Sequence, residues 1–356
     1  MGNNDRRNAI IVGAGASKEF KLPTGAELKT QIAEIADIRF ASAGSRLENG
    51  DYRIVDTMRE IVRSPNGRGG NINDLLYGAW KIRDNMPIAP SIDNFLDTHR
   101  EDENLVTFGK LAITHAIMKA EQSSTLFVNA NGQDSFNLGA VADTWLGRFF
   151  AILVAQRDFQ NFLAALATIT FVSFNYDRCI HQFFCHASKS YFGLSDDGVA
   201  EVLSALNIIY PYGTVGEFCW YNNGQSNFGD EAFGQPLIER ASQLRTFTEG
   251  ANTNRIKDIR RAVNDSEVLM FMGFGFLPLN MELLFGDEEF EADTVLATGK
   301  GLSKNSIEQI KIELKQIFKS EIGLYSEELA DEKIQVLNGT CAELIFEFQR
   351  YLSSPN

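Results

Sequence analysis

Ala9-Ile10-Ile11-Val12-Gly13-Ala14-Gly15-Ala16-Ser17, near the start of the chain, runs from apolar residues straight into glycines. Four apolar residues in a row form a short buried strand, and the glycines that follow turn it sharply towards a helix. A strand that empties into glycines lets bare backbone N–H groups approach a ligand, and a helix starting there favours negative charge. The first expectation is therefore a phosphate-bearing ligand.

Outward from this point, Leu22-Pro23-Thr24-Gly25 leads into the capping pattern Thr24-Gly25-Ala26-Glu27, after which Leu28, Ile32, Ile35 and Ile38 recur at helical spacing. From about Arg39 to Ala165 helical periodicity dominates, as in Asn104 to Glu121 and Val141 to Leu166. The Gly, Asn and Ser clusters at 64–71 and 129–136 read as loops. Strand-like runs return at Thr168–Phe174, Ala205–Ile209, Glu267–Met272 and Thr294–Ala297, with a helix at Ile307–Phe318. A second capping pattern, Thr340-Cys341-Ala342-Glu343, opens a last helix that reaches about Leu352. The expected fold class is α/β: a Rossmann-like parallel sheet from residues 1–38 and 167–356, with residues 39–166 as a helical insertion lobe.

Composition narrows the function classes. The chain has 356 residues, 44% of them hydrophobic and 27 of them Phe, enough for a sizeable packed interior. Its longest uncharged apolar stretch, Phe162 to Phe174, is too short and too Thr-rich to span a bilayer, and Met1 to Asn8 leads into too few apolar residues for a secretory signal. A cytoplasmic protein that makes no membrane contact is expected. The formal charge of −14 repels a polyanion, so direct nucleic-acid binding is not expected, and the cluster Arg255, Lys257, Arg260 and Arg261 reads as a solvated helix face. Cys179, Cys185, Cys219 and Cys341 show no C-x-x-C spacing, which leaves buried thiols rather than a zinc ribbon or redox pair.

Three of the strand ends finish in polar or glycine residues: Gly13–Ser17, Phe174-Asn175-Tyr176-Asp177 and Gly273-Phe274-Gly275. In open parallel sheets ligands bind just beyond the carboxyl ends of the strands, so these distant segments are expected to outline one pocket. The ordinary dinucleotide fingerprint fails here. Lys18 stands where its third glycine belongs, and no second strand with a terminal acid follows about twenty residues on.

The order of these motifs, with a Tyr-Gly turn at Tyr212-Gly213 and the familiar Pro90-Ser91-Ile92-Asp93-Asn94-Phe95-Leu96, resembles the sirtuin-like proteins of bacteria. In particular it is similar to the prokaryotic defence branch, whose members consume NAD during phage infection. The resemblance covers roughly residues 9–36, 168–180, 205–217 and 266–302. It implies a sirtuin-type sheet without a zinc lobe, and an NAD glycohydrolase that releases nicotinamide and ADP-ribose as the effector of abortive infection. It also implies control by homo-oligomer assembly or by a partner such as a HerA-like hexameric DNA-translocating ATPase. Laid over this chain, the resemblance has Gly13, Ala14, Gly15, Ala16 and Ser17 hold the pyrophosphate, with Thr24 and Gly213 beside the nucleotide. Gly273, Phe274 and Gly275 border its adenosine half. Asn175 sits against the nicotinamide ribose, Asp177 orients that amide or the nicotinamide, and Tyr212 stands where the family commonly has a catalytic His.

The chemistry explains why such residue types are wanted. Nicotinamide in NAD is already a cationic leaving group, so the glycosidic bond breaks through an oxocarbenium-like state without strong acid assistance. A carboxamide such as Asn175 can hold ribose hydroxyls or a water without adding charge, and preorganised dipoles act strongly in a dry site. Tyr titrates near ~10 and is a poor base, so Tyr212 positions a hydroxyl at most; that leaves Asn175 with an ordered water, a histidine such as His99 or His181, or a site that binds without cleaving.

Each residue also has a plainer reading. Gly13 and Gly15 serve tight strand-to-helix packing, Asn175 caps the following helix, and Gly273 to Gly275 form a strand exit. Phe274, Phe276 and Trp220 belong to the core. Two other functions stay open: an NAD-dependent protein deacylase, which the cysteine pattern disfavours, and a nucleotide-binding subunit without catalysis, which Tyr212 favours.

Overall fold

Ala9, Ile10 and Ile11 have no solvent exposure because both faces of their strand are covered. This strand, β1 (Asn8–Val12), lies inside a six-stranded sheet with β2 (Ile169–Ser173), β3 (Asn207–Ile209), β4 (Val268–Met272), β5 (Thr294–Thr298) and β6 (Ile334–Leu337). The spatial order is β3-β2-β1-β4-β5-β6 and every neighbouring pair is parallel. This is the doubly wound Rossmann-like order, which reverses direction between β1 and β4, the place where such sheets open a crevice. The computed structural model describes residues 7–41, 46–63, 71–129, 136–221, 224–250, 253–286, 292–317 and 332–353.

Side chains alternate across the strands and feed two cores. Ala9, Ile11, Leu269 and Phe271 pack on one face against the helices Gly25–Ala36, Tyr52–Arg63, Ile72–Asn85 and Glu103–Gln122. Ile10, Val12, Phe171, Met270 and Met272 pack on the other against Trp145–Val154, Phe159–Ala167, Cys179–Phe192 and Cys341–Glu347. The stretch 39–166 thus contributes helices to both layers.

The five expected strands form; β6 joins the main sheet unannounced, and two short antiparallel ribbons, Arg39–Phe40 with Leu47–Asn49 and Trp220–Tyr221 with Gln225–Ser226, also form among the described residues. The helix expected over Val141–Leu166 is three pieces, because Thr144 and Asp158 each cap a new start. The helix expected at Ile307–Phe318 spans Lys304–Ile317, and Phe318 lies outside the described residues, as do 64–70 and 130–135 of the two expected loops. No helix among the described residues is long and apolar enough to cross a membrane.

Both capping boxes form. At the first, Glu27 N–H donates to Thr24 Oγ1 at 3.4 Å while Thr24 N–H donates to Glu27 Oε2 at 2.8 Å. Thr24→Ala is expected to cost about 1 kcal/mol in urea unfolding, since it removes one acceptor from the helix start.

Candidate active site

The register pairs Val12 with both Ser173 and Met272, so Gly13, Phe174 and Gly273 leave the sheet side by side. Beyond them lies a cavity of about 710 Å³, lined by Gly13, Ala14, Gly15, Thr24, Asn175, Tyr212, Gly273, Phe274 and Gly275 among others. The three expected strand ends therefore meet at one crevice, at the reversal of strand order. Ala16, Ser17, Asp177 and Gly213 do not line it.

The glycines interlock. A Cβ on Gly13 would lie 2.5 Å from Gly273 O, one on Gly15 2.9 Å from Gly273 Cα, and one on Gly273 2.1 Å from Ala16 N. Gly273 also holds φ at +59°, in the left-handed region. Gly13 N–H donates to Met272 O at 2.9 Å and Gly15 N–H to Gly273 O at 3.0 Å. The packing reading of these glycines is satisfied in full, and two of the loop amides are spent on it. The helical turn Ala14–Ser17 has four residues, so it brings little dipole. Ala14 N–H has no protein acceptor among the described residues and borders the cavity. Gly275 differs: its Cβ position has nothing within 4 Å.

Asn175 is held from behind. Its Nδ2 donates to Gly13 O at 3.0 Å and to Ser17 Oγ at 2.9 Å, and Ser17 Oγ–H donates to Asp177 Oδ2 at 2.7 Å. Gly13 O can only accept, so the amide nitrogen faces inward and Oδ1 is the atom left for the cavity. The capping reading of Asn175 is not what the structure has: Arg178 is the N-cap of the helix Cys179–Phe192, and Cys179 N–H donates to Asp177 Oδ1 at 3.1 Å. Asp177 acts on Asn175 through Ser17. Burial raises its carboxyl pKa, opposed by the donors Ser17 and Cys179.

A buried ion pair anchors this turn. Glu121 accepts from Arg178 N–H at 3.0 Å, from Arg178 Nε at 3.1 Å and from Gly229 N–H at 3.0 Å. Side-chain exposures of 1% for Arg178 and 0% for Glu121 take the pair out of water, where losing either partner is costly.

Tyr212 is buried, with its hydroxyl donating to Asn280 Oδ1 at 2.6 Å. Burial, with Asp93 and Asp97 nearby, pushes its pKa far above the usual tyrosine range, so it donates a hydrogen bond and removes no proton. Gly213 holds φ at +75° and opens on a different cleft, beside Arg245 and Arg255. Neither alternative histidine reaches the cavity. His181 stacks on Phe218 and faces Tyr210, and burial lowers its pKa to about 4. The Nδ1 of His99 lies 3.0 Å from Phe95 O at the end of its helix. Trp220 lies away from the cavity too, its Nε1–H donating to Asp196 Oδ1 at 3.0 Å. Phe274 packs in the core and still borders the cavity.

The structure adds residues that sequence reasoning passed over. Ser91 and Asp93 line the cavity, as do Lys18, Glu19, Asn280, Thr298 and Lys300. Lys18 pairs with Glu27. Lys300 brings a positive charge to the cavity, where it acts on the carboxylates of Glu19 and Glu343. The Pro90–Leu96 motif was the available signal for Ser91 and Asp93. Among the described residues no group of three or more His, Cys, Asp or Glu is placed to hold a metal, and all four cysteines are free.

No protein-family model matches the chain, and no curated protein matches it either.

Proposed function

We propose that this chain hydrolyses NAD to nicotinamide and ADP-ribose. The observation that carries the reading is the fixed Asn175 carboxamide beside the glycine turn, in one crevice at the reversal of strand order. A volume of about 710 Å³ falls within the ~300–1,000 Å³ common for ligand pockets, and its lining mixes apolar surface with polar and charged side chains. In this reading Ala14 N–H and Lys300 supply the positive features that a diphosphate needs, and Asn175 Oδ1 holds the ribose or a water. Ser17 and Asp177 lock the amide so that it pays no ordering cost at reaction.

The reading includes a sirtuin-type sheet without a zinc lobe and a role as effector in anti-phage abortive infection. It places control in assembly, as a homo-oligomer or on a HerA-like hexameric DNA-translocating ATPase, since an uncontrolled NAD-depleting enzyme harms its host. A lone monomer with full activity on size-exclusion chromatography contradicts that control. The raised pKa of Tyr212 favours one second reading, a nucleotide-binding subunit without turnover. Purified protein incubated with NAD separates them, with and without the candidate ATPase. Release of nicotinamide and ADP-ribose in equal amounts supports hydrolysis, and saturable binding without products supports the second reading. Consumption of an acylated peptide points instead to a deacylase.

A further inference from the structure

The family position for a base is filled by a tyrosine, and no histidine lines the cavity. Among the described residues two carboxylates do, Glu19 and Asp93. Both oxygens of Glu19 are committed, Oε2 accepting from Trp145 N–H at 2.7 Å and Oε1 from Ala342 N–H at 2.9 Å. Asp93 is placed differently. It sits in the first turn of the helix Ile92–Thr98, which Ser91 caps through Asn94 N–H at 3.0 Å. Ile92, Phe95 and Leu96 are buried and fix that helix against the core, which leaves Asp93 at the cavity wall. Its Oδ1 accepts from the hydroxyl of Tyr176, the residue after Asn175, so the carboxylate and the carboxamide are tied to one turn of chain.

We propose that Asp93 is the general base of the reaction, taking the proton of the water that attacks the nicotinamide ribose. The assignment rests on the hydrolase reading. The water oxygen bonds to C1′ of the ribose as the C1′–N1 bond breaks, and the bonding pair leaves on the ring nitrogen to give neutral nicotinamide. One water proton passes to Asp93 and then to solvent, so NAD⁺ and water yield nicotinamide, ADP-ribose and H⁺.

The surroundings suit the task. The titratable groups around Asp93 are Tyr176 after β2, Tyr212 after β3 and, one turn along its own helix, Asp97, which accepts from Thr248. No cation pairs with it among the described residues. Burial pushes its carboxyl pKa up to about 6, close enough to neutrality to make it an effective base while still mostly ionised. The Tyr176 hydroxyl favours the ionised form. Turnover therefore rises with pH through about 6 and levels off above it.

The test is NAD turnover between about pH 5 and pH 9, with ADP-ribose affinity measured alongside. Asp93→Asn keeps the shape and an acceptor for Tyr176, and is expected to lower kcat by about 10²–10⁴-fold, erase the acid limb and leave ADP-ribose affinity within a fewfold. Tyr176→Phe removes a donor from the carboxylate and is expected to move the acid limb to higher pH. It carries the test alone if Asp93→Asn does not melt cooperatively, and an unmoved limb then overturns the assignment. An Asp93→Asn enzyme with a wild-type rate and limb also overturns it while leaving hydrolysis standing. Joint loss of ADP-ribose affinity and activity makes Asp93 a binding residue and overturns it too. A wild-type protein that releases no nicotinamide overturns the hydrolase reading itself, and the base with it.

Discussion

Asn175→Ala is expected to lower nicotinamide release by about 10²–10³-fold while NAD binding persists. The carboxamide is the polar group whose orientation the fold fixes most completely, through Gly13 O, Ser17 Oγ and, behind it, Asp177. A group held that way stabilises charge developing at the ribose without reorganising. The substitution also strands Gly13 O and one lone pair of Ser17 Oγ in a buried position, which costs about 1–3 kcal/mol. Thermal melting measured with turnover separates the two effects. A variant that stays folded and cleaves at the wild-type rate contradicts the assignment of Asn175.

Gly273→Ala is expected to destabilise the chain by about 2–5 kcal/mol, or to prevent folding. The added methyl would lie 2.1 Å from Ala16 N and 2.4 Å from Gly15 C, both backbone atoms that no rotamer change can move. The φ of +59° adds about 1–2 kcal/mol for a residue with a Cβ, and a backbone collision in a packed core adds about 1–3 kcal/mol or more. Urea unfolding with far-ultraviolet circular dichroism reads the loss. Gly275→Ala, with nothing within 4 Å of its Cβ, is the matched control and is expected to melt like wild type.

The parts of this fold that were legible in the sequence are those written locally. β1 and β4 are apolar runs followed at once by glycine, and both capping boxes form as their spacing implied. β6 was not legible because Ile334-Gln335-Val336-Leu337 is a short, alternating edge strand, paired on one side by β5. The meeting of the strand ends was inferable from the parallel-sheet rule, whereas the work of each residue there was not. Sequence alone left Gly13 and Gly15 between phosphate binding and packing, and only the placement of Gly273 showed that packing uses two of their amides. Asp93 was quoted as part of a motif, but the cavity it shares with Asn175 and its hydrogen bond to Tyr176, 83 residues away, come only with the fold. His181 follows Asp177 closely in sequence, yet the helix turns its ring towards Tyr210 and Phe218.

In the proposed function a dinucleotide lies in the crevice between β1 and β4. Gly275→Leu fills that crevice from a position with open space and an unstrained backbone. Calorimetric titration of NAD into Asn175→Ala protein, with and without Gly275→Leu, decides whether the dinucleotide does lie there. The expected result is one saturable site that ADP-ribose competes for, weakened at least about tenfold by Gly275→Leu with no loss of melting temperature. NAD affinity unchanged by the filled crevice contradicts it.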